Sequence, residues 1–172
     1  DVTKSTLEWV DSRIKRPAFF WWNYAVTDYV RNLILQGPVY GLDTSLTSKD
    51  MCGLVSNLME HGEASKLSLY SVADYTWNPS VYNSIDSWER GLSVMMPHAT
   101  KAYRTFAIHS ADTETGYRRD ESWETKTFRL VDYTQAKRDS LYNEFERVAK
   151  APSEIEAACT DSLLMKAKAL AH

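Results

Sequence analysis

Cysteine is scarce in this sequence. Cys52 and Cys159 are the two thiols among 172 residues, too few for a disulfide framework, and they fall in different predicted elements. Cys52 opens an apolar run and reads as a small buried hydrophobe; a Cys52–Cys159 bridge is not expected. Charge of one sign is scarce too. Lys and Arg number 20 against 23 Asp and Glu, for a formal net charge of −3. That balance favours neither nucleic acid nor an anionic membrane. No apolar run approaches the roughly 20 residues needed to span a bilayer. Metal and phosphate motifs are also missing. No HExxH or CxxC occurs, and Glu60-His61-x-Glu63 lacks the spacing of a zinc site and reads as a polar loop. Gly37-Pro38-Val39-Tyr40-Gly41 is a turn, without the Lys-Ser/Thr ending of a phosphate loop. Internal repeats and low-complexity tracts are absent.

Aromatic residues are plentiful, with six Trp and ten Tyr. They concentrate in Arg16-Pro17-Ala18-Phe19-Phe20-Trp21-Trp22-Asn23-Tyr24-Ala25-Val26-Thr27-Asp28-Tyr29. An apolar run without alternation suggests a strand buried on both faces, as in parallel sheets flanked by helices. Ligand groups in such sheets sit past the carboxyl ends of the strands. Two tryptophans, then an amide, then a carboxylate can hold a neutral polyol. Aromatic faces pack on sugar C–H surfaces, and Asn and Asp fix hydroxyl directions. A second reading fits the residues equally: a core strand with a turn-initiating Asn23 and a helix-capping Asp28.

The pattern recurs. Met51-Cys52-Gly53-Leu54-Val55-Ser56-Asn57 is a short apolar run that also ends in Asn. Ser65 to Pro79 is a longer apolar and β-branched run ending in Trp77-Asn78-Pro79. Read as three strands, these segments deliver Asn23, Asn57 and Asn78 to one end of a sheet. Such is the pattern expected at the mouth of a parallel barrel.

The segments WWNYAVTDYVRNLILQGPVYGLDT, GLVSNLMEH and SKLSLYSVADYTWNP resemble, in order and spacing, the carboxyl-terminal half of the catalytic barrel of glycoside hydrolase family 84. These are β-N-acetylglucosaminidases that include bacterial relatives of protein O-GlcNAcase. The resemblance runs from about Arg16 to about Ser122, and Gly116–Ser122 resembles the bacterial members. It implies a retaining, substrate-assisted hydrolase. The sugar's own 2-acetamido oxygen attacks the anomeric carbon and forms an oxazoline. One member of an adjacent Asp-Asp pair orients the acetamido group, and the other serves as general acid, then base.

No Asp-Asp dipeptide occurs in this sequence. In the family the pair lies upstream, at the end of an earlier strand. The expectation is therefore a fragment that carries sugar-binding residues but no catalytic pair and is inactive alone. By resemblance, Asp28 matches the carboxylate that binds the outer sugar hydroxyls. Asn23 matches an amide of the same loop, and Asn57 the amide after the next strand. Trp21 matches the aromatic lining the acetamido pocket. Trp22 points to the opposite face of a regular strand and reads as structural. Tyr117 falls where a platform for the leaving group is expected. The resemblance implies no cofactor and no metal. It implies a glycan or glycoprotein bearing N-acetylglucosamine as substrate, the upstream half of the barrel as partner, and a bacterial secreted or periplasmic setting. A noncatalytic carbohydrate-binding or scaffold module is the alternative.

The expected fold is α/β: about three strands from the carboxyl-terminal part of a TIM (β/α)8 barrel over residues 1–111, then a helical region over 112–172. A helix over Thr6–Ile14 should precede the first strand. Another should open near Ser80, with Val81, Ile85, Trp88 and Leu92 on one face, and end near Pro97. A third, about His98–His109, places Ala102, Phe106 and His109 on one stripe. After about Val131 an amphipathic hairpin is expected. Leu141, Phe145 and Val148 form one face, Ala151-Pro152-Ser153 breaks the helix, and Ser153 caps the next.

Overall fold

A computed structural model describes residues 3–27, 34–110 and 134–170, with side chains through residue 160. Asp28, Tyr117 and the Gly116–Ser122 segment lie outside the described residues. The fold is mixed α/β, rich in helix, with a two-stranded sheet.

Helix α1 (Lys4–Ile14) starts where the Thr3 hydroxyl accepts the Thr6 backbone N–H, and stops at Lys15 in the left-handed conformation at φ 60°. Asp11, on its last turn, then accepts the Ala18 backbone N–H at 2.9 Å. That bond aims the chain into β1 (Ala18–Trp22). β1 pairs in parallel with β2 (Met51–Ser56), Trp21 opposite Val55 and Trp22 opposite Ser56. A parallel pair needs a long crossover, and residues 23–50 supply it.

β1 is not buried on both faces as its composition suggested. Ala18, Phe20 and Trp22 turn inward, onto Leu7, Val10, Leu46 and Met51. Phe19 and Trp21 stand exposed on the other face. Five consecutive apolar residues hide the alternation that a strand imposes on them. Gly53 lies under Phe19: a Cβ there would come within 2.8 Å of the ring. Cys52, expected to be buried, is exposed and free, as is Cys159.

The third expected strand is a helix. α2 spans Gly62–Trp77 and buries Ser65, Leu67, Ser68, Ser71, Val72 and Tyr75. Those positions step by three and four, which only a helix brings to one side. The buried serines are small, so α3 (Ser84–Met95) approaches closely. Gly91 of α3 sits where a Cβ would lie 2.9 Å from Leu67 Cδ1. A short 3₁₀ turn, Pro79–Val81, separates α2 from α3 and leaves Val81 exposed. The expected helix therefore begins later, at Asn83, whose Oδ1 accepts the Ile85 and Asp86 N–H groups. Trp88 and Leu92 are buried as their spacing required. α4 (Thr100–His109) follows after Pro97 and buries Ala102 and Ala107, with Phe106 at its margin.

Gln36 ties these helices together in the core. Its backbone carbonyl accepts the Trp88 indole N–H at 2.7 Å. Its side-chain oxygen accepts the Tyr103 hydroxyl at 2.6 Å, and its amide nitrogen donates to Ala64 O at 2.6 Å. A buried amide with both ends paired avoids the desolvation penalty of an orphan group.

The expected hairpin is one helix. α5 runs Gln135–Leu170 straight through Pro152. Proline removes one backbone donor and disfavours the turn before it. Here the apolar stripe Val148, Ala151, Ile155, Ala158 keeps its phase across the proline, so continuing the helix preserves its packing along α4. His109 Nε2 and Glu144 Oε1, 2.8 Å apart, join the end of α4 to α5.

Candidate functional site

The parallel pairing puts the carboxyl ends of β1 and β2 side by side. There the Trp22 carbonyl accepts the Asn57 N–H at 2.7 Å and the Tyr24 N–H at 2.9 Å. The chain turns after Trp22, and Ser56 Oγ donates to the Tyr24 carbonyl. Tyr24 is buried, stacks on Trp22 with ring centroids 5.0 Å apart, and directs its hydroxyl to the Gly37 and Pro38 carbonyls. This packing fixes the strand ends from below.

Three of the residues singled out in the sequence meet above it. The Trp21 indole N–H donates to Asn23 Oδ1 at 2.9 Å. Asn57 Nδ2 donates to the same oxygen at 3.1 Å. An amide oxygen has two lone pairs, and both are engaged. The orientation of the Asn23 amide is thereby set, since its carbonyl end is bound to two donors. Asn57 reaches this oxygen from the neighbouring strand end, so the two amides lie side by side. Trp21 is 64% exposed, so its ring stays open to a ligand while its edge braces Asn23. The trio carries no charge and sets two side-chain amides beside an open aromatic face. That set suits a neutral, hydroxyl-rich or amide-bearing ligand.

Trp22 is structural, packed between the two hydrophobic clusters of the sheet. Asn78 does not join the trio. It caps the end of α2, accepts the Ser80 hydroxyl at 2.8 Å, and lines a cleft of about 440 Å³ along β2 with Met51, Cys52, Leu54 and Tyr75. Glu60 and His61 lie 3.8 Å apart and exposed, while Glu63 pairs with Lys66. Among the described residues no group of three His, Cys, Asp or Glu side chains is placed to hold a metal, and no described helix is long and apolar enough to cross a membrane.

The brace from Trp21 to Asn23 was not foreseen. Its signal was present, because residues two apart on a strand share a face. The Tyr24–Ser56 contact has no such local signal.

Comparison with known proteins decides the family. The family model described as beta-N-acetylglucosaminidase matches residues 1–108. The chain belongs to this family. Solved structures of glycoside hydrolase family 84 proteins agree. CpGH84D is 26% identical with a TM-score of 0.78, over 91% of this chain and 28% of its own. CpGH84B is 27% identical with a TM-score of 0.77 and the same coverage. A mutant O-GlcNAc hydrolase of Thermobaculum terrenum is 25% identical with a TM-score of 0.68, over 94% of this chain and 35% of its own. The chain thus spans about a third or less of the solved proteins it matches. In this family 84 chain, the Trp21–Asn23–Asn57 trio occupies the strand ends.

Proposed function

We propose that this chain is the sugar-binding part of a retaining β-N-acetylglucosaminidase acting on terminal β-linked N-acetylglucosamine of glycans or glycoproteins. The observation that carries the reading is the bonded trio Trp21, Asn23 and Asn57 at the joined carboxyl ends of two parallel strands. Barrel enzymes bind substrate at that end. On this reading residues 1–111 belong to a (β/α)8 barrel, whose upstream half is the partner, and residues 112–172 form the helical region that follows it.

Asp28 holds outer hydroxyls of the sugar as an acceptor-only carboxylate. Trp21 lines the pocket of the acetamido group, with Asn23 and Asn57 fixing the pyranose, and Tyr117 lies toward the leaving group. The substrate's acetamido oxygen displaces the leaving group at the anomeric carbon, giving an oxazoline, while an upstream acid protonates the departing oxygen. Water then opens the oxazoline with net retention. The two carboxylates for these steps come from the upstream half.

The test is hydrolysis of a fluorogenic β-N-acetylglucosaminide by the chain assembled with its upstream half, beside an Asp28→Ala assembly. Bonds to a charged acceptor contribute roughly 1.5–3 kcal/mol, so kcat/KM should fall about 10- to 100-fold. A folded assembly that binds N-acetylglucosamine without turnover would favour a noncatalytic carbohydrate-binding module. Wild-type kinetics from Asp28→Ala would remove Asp28 from the site.

A further inference from the structure

Ser56, the last residue of β2, and Asn57 after it hold the chain on both sides of Asn23. The Asn57 N–H donates to the Trp22 carbonyl at 2.7 Å, on one side. The Ser56 hydroxyl donates to the Tyr24 carbonyl, on the other. Asn57 then reaches the Asn23 side chain itself at 3.1 Å. Asn23 is exposed, whereas Tyr24 is buried and Trp22 half-buried. Where the Asn23 amide stands therefore depends on how the peptides that flank it are held.

Ser56 acts from behind the site. Side chains alternate along a strand. Ser56 lies opposite Trp22 in the register and shares the apolar side on which Trp22 and Leu54 pack. Asn57 stands on the other side, with Trp21 and Asn23. An apolar β-branched residue would suit position 56 better, both by strand preference and by area removed from water. Serine gives up both advantages and supplies a hydroxyl.

We propose that Ser56 is a positioning residue for sugar binding. Through the Tyr24 carbonyl, its hydroxyl keeps the Asn23 amide in register with Asn57 and Trp21. The proposal rests on the sugar-binding reading of that trio and adds a residue that acts through another. Serine, threonine or any side chain that presents a hydroxyl here can do this; an apolar one cannot.

The experiment is steady-state hydrolysis of a fluorogenic β-N-acetylglucosaminide by the chain assembled with its upstream half. Ser56→Val and Ser56→Thr share one shape and differ in the hydroxyl. Ser56→Val should lower kcat/KM about fivefold, carried mainly by KM, as for the loss of one neutral hydrogen bond. Ser56→Ala, which adds no bulk, should fall in the same way, and Ser56→Thr should recover most of the loss. In an Asn23→Ala background, Ser56→Val should cost almost nothing further, because the group it positions is gone. A residue with a structural duty alone would cost the same in both backgrounds. Circular dichroism and a thermal melt of each assembly confine the comparison to folded protein. Wild-type kinetics from Ser56→Val and Ser56→Ala in an active assembly overturn the role of Ser56 and leave the sugar-binding reading in place. So does an equal loss in both backgrounds, or a loss that Ser56→Thr shares in full. A folded wild-type assembly without turnover instead removes the hydrolase reading, and this proposal with it.

Discussion

Asn57 donates its side-chain amide to Asn23 Oδ1 across 3.1 Å, linking residues 34 apart in sequence. The same oxygen accepts the Trp21 indole. The two strand ends are thus joined by a side-chain bond as well as by the backbone bond from Asn57 to Trp22.

Trp21→Phe separates the two duties of Trp21. The substitution keeps an aromatic face and removes the N–H to Asn23. A neutral hydrogen bond nets about 1 kcal/mol. The expected outcome, in the assembly with the upstream half, is a kcat/KM about fivefold lower, carried mainly by KM. Trp21→Ala should lose more, because the face goes too. Kinetics unchanged in Trp21→Phe would discard the brace.

Tyr103→Phe should destabilise the fold. The Tyr103 hydroxyl is 2.6 Å from Gln36 Oε1, and Gln36 is buried. Removing the donor leaves that oxygen unpaired, at a cost of about 1–3 kcal/mol. A thermal melt should show Tm lower by several degrees. An unmoved Tm would mean that the oxygen finds another donor.

Gly91→Ala should destabilise as well, although alanine is the better helix former by about 1 kcal/mol. The added methyl would meet Leu67 Cδ1 at 2.9 Å and Tyr70 Cδ1 at 3.0 Å. Leu67 is buried and has little room to move. Overpacking of this kind costs about 1–3 kcal/mol, and urea titration should show a lower midpoint at unchanged slope. A raised midpoint would show that α2 and α3 separate freely.

Stability should fall at both ends of the pH scale. The Ser45 hydroxyl and N–H, with the Lys4 N–H, hold the Asp43 carboxyl below its ordinary range. The Thr47 hydroxyl and N–H do the same for Asp50. The unfolded chain therefore takes up protons first as pH falls below about 4, and stabilisation present above that pH is lost. Burial raises the Tyr82, Tyr103 and Tyr75 hydroxyls. Their contribution is full below about pH 10 and is lost as pH rises through their folded-state values. Asp43→Asn should flatten the acid limb of the urea midpoint and change the alkaline limb only through Tyr75, whose hydroxyl is raised first by burial and second by the Asp43 charge. An unchanged acid limb would place the titrating groups elsewhere.

The sequence revealed the parallel strand pair, α1, α3 and α4, because their apolar spacing or their flanking breaks were distinct. It also singled out Trp21, Asn23 and Asn57, which meet in space. Ser65 to Pro79 was misread because half of the buried side chains that reveal its helical period, Ser65, Ser68 and Ser71, are serines, which carry no hydrophobic signal. Pro152 was misread because a local breaker was set above an apolar phase that continues on both sides of it. Cys52 was misread because an apolar run was taken as buried throughout, whereas the register with β1 steps from Met51 to Gly53 and leaves Cys52 as an unpaired, exposed bulge residue. Asp28 and Tyr117 lie outside the described residues, so their roles rest on family resemblance and on the kinetics of Asp28→Ala.

The burial of Trp88 gives the fold an optical marker. Its indole is 1% exposed and its N–H is held by the Gln36 carbonyl, whereas Trp9, Trp21 and Trp77 stand in solvent. Iodide should therefore quench the red-shifted emission first and leave a blue component from the junction of α2, α3 and α4. A sugar settling on Trp21 would shield part of the quenchable light and leave the blue component unchanged. One cuvette could then report occupancy at the strand ends and integrity of the helical core as separate colours.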